Sequence, residues 1–268
     1  MLSMDEAKRI MAVGLGRAEL EFVTSLTTPL YWVIPAIDGA GLVARNGSAF
    51  FIDTGAAVFG VTAAHVIRGM QTACAEGGPI SCQIGVFDLT DPGCLIAIDD
   101  DIDIATFRIS ANEVRALGKT VLTGHQKCWP PSPPQPERGV TYSGFPGVST
   151  VWLGRREISF GVCTAAGVAS SVSDTDVGSM IERQHLMDVM GTGFPPNNFN
   201  FGGMSGGPML TVIEQRGLRS WQLPRQADVV GDVFCIAEHE ETDFCLWDLA
   251  TLCSAPDEAN ALPQLARR

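Results

Sequence analysis

Between Pro29 and Ile109, apolar residues come in short bursts separated by turn-forming clusters: Tyr31 to Ile37, Ala49 to Ile52, Val58 to Thr62, Ile84 to Leu89, Leu95 to Ile98 and Ile104 to Ile109. Short runs of this kind, without a sustained 3.6-residue period, predict an all-β barrel or sandwich. From Gly139 the bursts resume, with strands expected at Val140 to Ser143, Ser149 to Leu153, Glu157 to Cys163, Met209 to Ile213, Val229 to Ala237 and Phe244 to Trp247. The two series are divided by Trp129-Pro-Pro-Ser-Pro-Pro-Gln-Pro136, in which five of eight residues are proline. Proline cannot donate to a strand ladder, so this stretch reads as a stiff linker rather than a strand. Two segments depart from the β pattern. Ser3-Met-Asp-Glu6 has the form of a capping box, and Met4, Ala7, Ile10 and Met11 follow helical spacing. A short helix is expected within residues 3 to 22, interrupted near Gly14 and Gly16. It would pack outside the barrel or serve as a docking element. A second helix is expected from Asp176 to Met190, inside an irregular stretch from 169 to 200.

The candidate chemistry centres on Phe201-Gly-Gly-Met-Ser-Gly-Gly-Pro-Met209. Glycine and proline are the poorest helix formers, so the segment reads as a tight loop. Bare glycines let backbone N–H groups converge on one point. A hydroxyl among such amides has what acyl transfer needs, a nucleophile beside an oxyanion trap, and Ser205 is the candidate nucleophile. A serine needs an imidazole to take its proton and a carboxylate to orient that imidazole. Of four histidines, His65 alone follows a β-rich run, in Phe59-Gly-Val-Thr-Ala-Ala-His-Val-Ile67. The carboxylate is Asp103, which opens an alternating strand after the acidic residues Asp99, Asp100 and Asp101. Alternation would put Asp103, Ala105, Phe107 and Ile109 on one face.

Thr62-Ala-Ala-His65, Asp103-Ile-Ala105 and Gly203-Met-Ser-Gly-Gly-Pro208 resemble the three catalytic motifs of the chymotrypsin-fold serine proteases, in that family's order of His, Asp and Ser. Asn46-Gly-Ser-Ala-Phe-Phe-Ile52 is similar to the strand that leads to the histidine, and Gly139-Val-Thr-Tyr-Ser-Gly-Phe-Pro-Gly147 to the strand that opens the second barrel in bacterial members. The resemblance spans roughly residues 30 to 250. It implies two six-stranded antiparallel β-barrels with the active site in the cleft between them, plus a short N-terminal helix. The chain then divides into a helical segment (1–27), a first barrel carrying His65 and Asp103 (28–128), a Pro-rich linker (129–138), a second barrel carrying Ser205 (139–252) and a tail (253–268). The implied activity is that of a serine endopeptidase, with the N–H groups of Gly203 and Ser205 forming the oxyanion hole. No cofactor or metal is called for. The same Gly-x-Ser-x-Gly spacing fits the nucleophile elbow of α/β-hydrolases, but that elbow leads into a helix and precedes its acid and histidine. Here Gly206-Gly207-Pro208 opposes a helix, and His239 is the sole histidine after Ser205. The alternative of another class is a catalytically silent protease-fold scaffold or binding module.

Two departures from the family's pattern bear on specificity and control. By the resemblance, the residue six before the nucleophile lies at the base of the primary pocket, and here it is Phe199, which would shorten that pocket. The pocket wall matches best near Ala237 and Glu238, running into Glu240, Glu241 and Asp243. The phenylalanine favours a small or apolar residue before the scissile bond, the acidic cluster a basic one; the expectation adopted is a basic residue. Digestive members carry an Asp before the nucleophile that pairs with a new amino terminus, whereas here the position is Met204. The loop must therefore be ordered permanently or by a regulatory partner acting on residues 169 to 200.

Composition changes this picture in three respects. A net charge of −12 argues against a nucleic-acid partner. Charged residues within Met1-Leu-Ser-Met-Asp-Glu-Ala-Lys-Arg-Ile10, and the lack of any apolar run of membrane-spanning length, point to a cytoplasmic protein with no membrane association. Eight cysteines without a Cys-x-x-Cys pair then read as reduced, mostly core residues rather than a zinc site.

Overall fold

The computed structural model describes residues 14–36, 41–77, 81–123, 136–137, 139–154, 157–173, 177–179, 186–211, 233–238 and 244–248. The N-terminal half forms one sheet from β1 (Thr28–Pro35), β2 (Leu42–Asp53), β3 (Val58–Ala63), β4 (Ser81–Ile84), β5 (Phe87–Asp88), β6 (Leu95–Asp99), β7 (Ile104–Arg108) and β8 (Leu122–Thr123). Its order is β5-β4-β1-β2-β3-β7-β6, antiparallel throughout, with β8 added in parallel to β2. Within it, β5 and β8 are two-residue strands. In the C-terminal half, β9 (Gly139–Gly144), β12 (Cys163–Val172), β13 (Val177–Ser179), β14 (Pro208–Thr211), β15 (Val233–Glu238) and β16 (Phe244–Asp248) close into a six-stranded antiparallel barrel in the order β12-β13-β16-β15-β14-β9. A separate hairpin, β10 (Thr150–Trp152) with β11 (Ile158–Phe160), stands between β9 and β12 in the chain. The fold is thus all-β with two curled sheets, as the apolar bursts predict.

Strand β2 explains why the Ala49 to Ile52 run is continuously apolar. Phe51 faces the core of the first sheet, with Leu30, Trp32, Ile67 and Phe107. Its neighbours Phe50 and Ile52 point the other way, into a second cluster that also holds Val23, Leu26, Val61 and Leu210. A strand buried on both faces has no polar side to alternate with. Leu210 comes from β14 of the C-terminal barrel, while the adjacent Met209 faces that barrel's own core with Val140, Tyr142 and Met204. One strand therefore feeds two cores, and the middle cluster joins the halves.

Helix α1 (Leu15–Leu26) packs into the same junction. Leu20, Val23 and Leu26 recur every three residues and are buried. Full burial of side chains like Val23 and Leu26 contributes about 1.5–3 kcal/mol each. The helix end is tied to both halves: Thr24 Oγ1 meets Thr164 Oγ1 at 2.9 Å, the Thr120 N–H donates to the Ser25 carbonyl at 2.9 Å, and Lys119 Nζ donates to the Thr24 carbonyl at 3.2 Å. Burial holds the Lys119 ammonium below its ordinary pKa.

Several sequence expectations need correction. The N-terminal helix starts at Leu15, where an interruption was expected, because Gly16 falls in the first turn and the buried stripe lies beyond it; residues 1–13 are outside the described region. The helix expected from Asp176 to Met190 is not formed over its described part: Val177–Ser179 is a strand closing the barrel through β16 and residues 186–190 are not helical, while Asp176 and residues 180–185 are outside the described region. Two helices escaped notice. Helix α2 (Ala64–Ala75) buries Ala64, Val66, Ile67 and Met70, and α3 (Ala111–Ala116) begins at a capping box formed by Ser110 and Glu113. The linker expectation at 129–138 lies outside the described residues except for Pro136 and Glu137. Among the described residues, Cys74, Cys82, Cys94 and Cys163 are unbridged. No helix among the described residues is long and apolar enough to cross a membrane.

Candidate active site

Strand β3 runs straight into α2, and His65 is the second residue of that helix. The N-cap, Ala63, has no side chain that can bond the first free N–H groups of the helix. Asp103 supplies what is missing. Its carbonyl accepts the Ala64 N–H at 3.0 Å and its Oδ1 accepts the His65 N–H at 2.8 Å, while Oδ2 meets His65 Nδ1 at 2.7 Å. One residue therefore caps the helix and holds the imidazole. The positive end of the helix favours the charged carboxylate there. The side chains of His65 and Asp103 are 46% and 23% exposed, so the pair stands at an open surface.

Asp103 reaches this position by a route that alternation does not describe. It precedes β7 in a turn, with φ of 50° in the left-handed region, which is uncommon for a residue other than glycine. Within β7 itself Ile104, Ala105, Thr106 and Phe107 are all buried, so no single face is the inner one. The expectation that strand alternation aims Asp103 is replaced by the turn.

Two consecutive turns build the serine loop, and Ser205 lies in the second. Met204 N–H donates to the Phe201 carbonyl and Gly207 N–H to the Met204 carbonyl, each at 3.0 Å. The third residue of each turn is a glycine with positive φ, Gly203 at 100° and Gly206 at 85°. A type II turn demands that conformation at that position. At Gly206 there is also no room: a Cβ would collide with the Ser48 carbonyl oxygen and Thr62 Oγ1, and would stand 2.8 Å from the Ala63 nitrogen. The loop is thus pressed against the end of β3, two residues before His65. The Ser205 carbonyl accepts the Ser48 N–H at 2.7 Å, and Ser205 is only 2% exposed.

Ser48 is a positioning residue that the sequence reading passed over. Its hydroxyl donates to the Gly203 carbonyl and accepts the Phe145 N–H, both at 2.9 Å, so a β2 side chain ties the serine loop to the end of β9. Asn46 Nδ2 adds a bond to the Phe145 carbonyl at 2.6 Å, and the Gly147 N–H one to the Gly202 carbonyl at 2.7 Å. Thr62 Oγ1 donates to the Ser48 carbonyl at 2.7 Å. The signal was present: Ser48 and Thr62 are polar residues within apolar runs, and both are fully buried. The Met204 side chain enters the core of the C-terminal barrel, so the loop has an internal apolar anchor.

The neighbouring acidic residues behave as a solvated turn. Asp99 Oδ1 accepts the Asp101 and Ile102 N–H groups, and Asp100 forms a two-pronged pair with Arg68, Nε to Oδ1 at 3.0 Å and Nη2 to Oδ2 at 2.6 Å. The Arg68 guanidinium holds the Asp100 carboxyl below its usual range. Among the specificity candidates, Phe199 is half-buried and stacks edge-on against Phe201, with centroids 4.9 Å apart. Ala237 and Glu238 lie on β15, opposite Cys245 and Phe244 of β16, and β15 borders β3. The expected acidic cluster at 240–243 is outside the described residues. Among the described residues no group of three or more His, Cys, Asp or Glu side chains could hold a metal ion.

No family model matches the chain, and no curated protein matches it. Among solved structures it is similar to one from work on how aromatic interactions drive the coupled folding and binding of the intrinsically disordered Sesbania mosaic virus VPg protein. That likeness covers 88% of this chain and 98% of the other, at 12% identity and a TM-score of 0.41. It is loose, and the chemistry rests on the residues themselves.

Proposed function

We propose that this protein is a serine endopeptidase of the chymotrypsin-like type, acting on protein or peptide substrates through Ser205, His65 and Asp103. The observation that carries the reading is the double engagement of His65 by Asp103, through the backbone N–H at 2.8 Å and Nδ1 at 2.7 Å, beside a serine loop anchored on β2 and β3. With Nδ1 donating to Asp103, Nε2 is the ring nitrogen that would accept the serine proton. Ser205 Oγ would attack the scissile carbonyl carbon, its proton passing to His65 Nε2 and from there to the leaving amine. Water would then hydrolyse the acyl-enzyme by the same proton route in reverse. The N–H groups of Gly203 and Ser205 would hold the oxyanion. A basic residue before the scissile bond remains the proposed preference, and a regulatory partner would act on the chain leading to Phe201.

Turnover of a denatured protein substrate by the parent and by Ser205→Ala tests this reading. The expected loss is about a million-fold, the size seen when such a nucleophile is removed. Equal cleavage by both would overturn the mechanism. A parent chain that cleaves nothing, alone or with candidate partners, would favour the silent scaffold.

A further inference from the structure

A cavity of about 190 Å³ opens between α2, β7 and the segment from Leu89 to Leu95. Ile67 and Met70 of α2, Phe107 of β7, Leu89 and Leu95 give it apolar walls. Cys74 and Cys94 add soft, polarizable thiols. It is somewhat larger than an engineered apolar cavity of about 150 Å³ that takes up benzene. One small ring or branched aliphatic group would fill it.

The mouth is polar, formed by Gln71, Thr90 and Asp91; Gln71 Oε1 accepts from Arg68 Nη1 at 3.2 Å, but that guanidinium is itself paired with Asp100, which leaves Asp91 as the charged group on the lining. Thr90 N–H and hydroxyl both donate to Asp88 Oδ1, at 2.8 and 2.5 Å, so these donors are committed. Asp91 Oδ1 accepts the Gly93 N–H at 2.8 Å, and an ionised carboxylate has lone pairs beyond one such bond. Among the described residues, no Lys or Arg lines the cavity. The Cys94 thiol responds to the same surroundings: burial pushes its pKa up first, and the charges of Asp91, Asp88 and Glu113 push it further, against a smaller opposing effect of Arg108.

From this arrangement we propose that the cavity is a binding site for a small primary amine carrying one apolar ring or branched body, the body lodged between α2 and β7 and the ammonium at Asp91. The apolar walls hold the body and the carboxylate selects the charge. His65 lies in the first turn of the helix that forms one wall, and Asp103 immediately precedes the strand that forms another. A ligand that displaces α2 or β7 would move the His65–Asp103 pair with them. The site stands independently of whether Ser205 is a nucleophile.

The test uses the full chain with ¹³C-methyl methionine and two probes of one shape, benzylamine and toluene, each titrated while the Met70 methyl and the His65 ring proton are followed by NMR. Benzylamine is expected to shift Met70 saturably and more tightly than toluene, with the His65 proton moving along the same curve. Asp91→Asn should weaken benzylamine by roughly tenfold or more, the range of a hydrogen bond to a charged group, and leave toluene unchanged. Cys94→Phe, which fills the space, should abolish both; if that variant misfolds, Asp91→Asn on the exposed turn still decides. Equal affinity for the two probes, no loss in Asp91→Asn, or no saturable shift of Met70 would overturn the site. Benzylamine bound beside Ser205 instead would leave Met70 unmoved, which counts against it. A His65 proton that ignores a saturating Met70 shift would overturn the coupling.

Discussion

Asp103→Asn separates the two tasks that one carboxylate performs. The His65 backbone N–H can only donate, so the asparagine must present its carbonyl oxygen to it, in the place of Oδ1. That choice turns the side-chain NH2 toward His65 Nδ1, where Oδ2 now lies at 2.7 Å. Nδ1 must then accept, the imidazole proton moves to Nε2, and the ring can no longer take a proton from Ser205. The helix cap survives, because Asn and Asp are about equally good at that task. Turnover should therefore fall by about ten-thousand-fold, roughly 5.4 kcal/mol in the activation barrier. Stability should fall by only about 1 kcal/mol, the difference between a charged and a neutral hydrogen bond. Asp103→Ala, which also removes the cap, should cost a further ~0.5–2 kcal/mol of stability. The assays are peptide hydrolysis, denaturant unfolding and the ¹⁵N shifts of the His65 ring. Turnover within tenfold of the parent, or a ring still protonated on Nδ1 in the asparagine variant, would refute the reasoning.

Ser48→Ala should leave the Gly203 carbonyl and the Phe145 N–H without their shared partner, at a cost of about 1–3 kcal/mol for each group that finds no other. Denaturant midpoints check the loss, and amide exchange should show it concentrated at residues 203–206. Asp100→Asn should keep turnover within a few-fold of the parent, because the Arg68 pair is exposed and surface pairs contribute little; a loss as deep as that of Asp103→Asn would reassign the orienting carboxylate. The Asp188 carboxylate accepts N–H bonds from Gly193, Gly191 and Thr192, which hold its pKa below the ordinary aspartate value. A depressed pKa means that this order is fully present above the unfolded aspartate value and fades as pH falls through the folded one. Exchange protection of the Gly191–Gly193 amides should therefore drop on acidification in the parent and lose that pH dependence in Asp188→Asn, whose single carbonyl oxygen does not titrate.

What was legible in the chain was what local chemistry dictates alone. The apolar bursts marked most strands of both sheets, and the glycines about Ser205 announced a loop whose positive φ values only glycine adopts readily. What escaped depends on partners distant in sequence. Asp103 is aimed by a left-handed turn and by helix N–H groups 38 residues away, not by its strand. Helix α2 was hidden because its buried side chains follow directly on an apolar strand without an intervening turn residue. Ser48 looked like one polar residue in a strand until the Gly203 carbonyl, 155 residues on, was found bonded to it. The strand Val177–Ser179 is held by bonds to β12 and β16, which no local propensity reveals.

The central claim is that Ser205 is a hydroxyl activated by His65. A fluorophosphonate probe tests it most directly, because phosphorylation of a serine requires its proton to leave for a base as the fluoride departs, and no substrate need be known. The parent protein should gain one probe mass, mapped to Ser205 by peptide mass spectrometry, with labelling abolished in Ser205→Ala and strongly slowed in Asp103→Asn. Folded protein in which Ser205 remains unmodified, or is labelled equally fast after Asp103→Asn, would contradict the account.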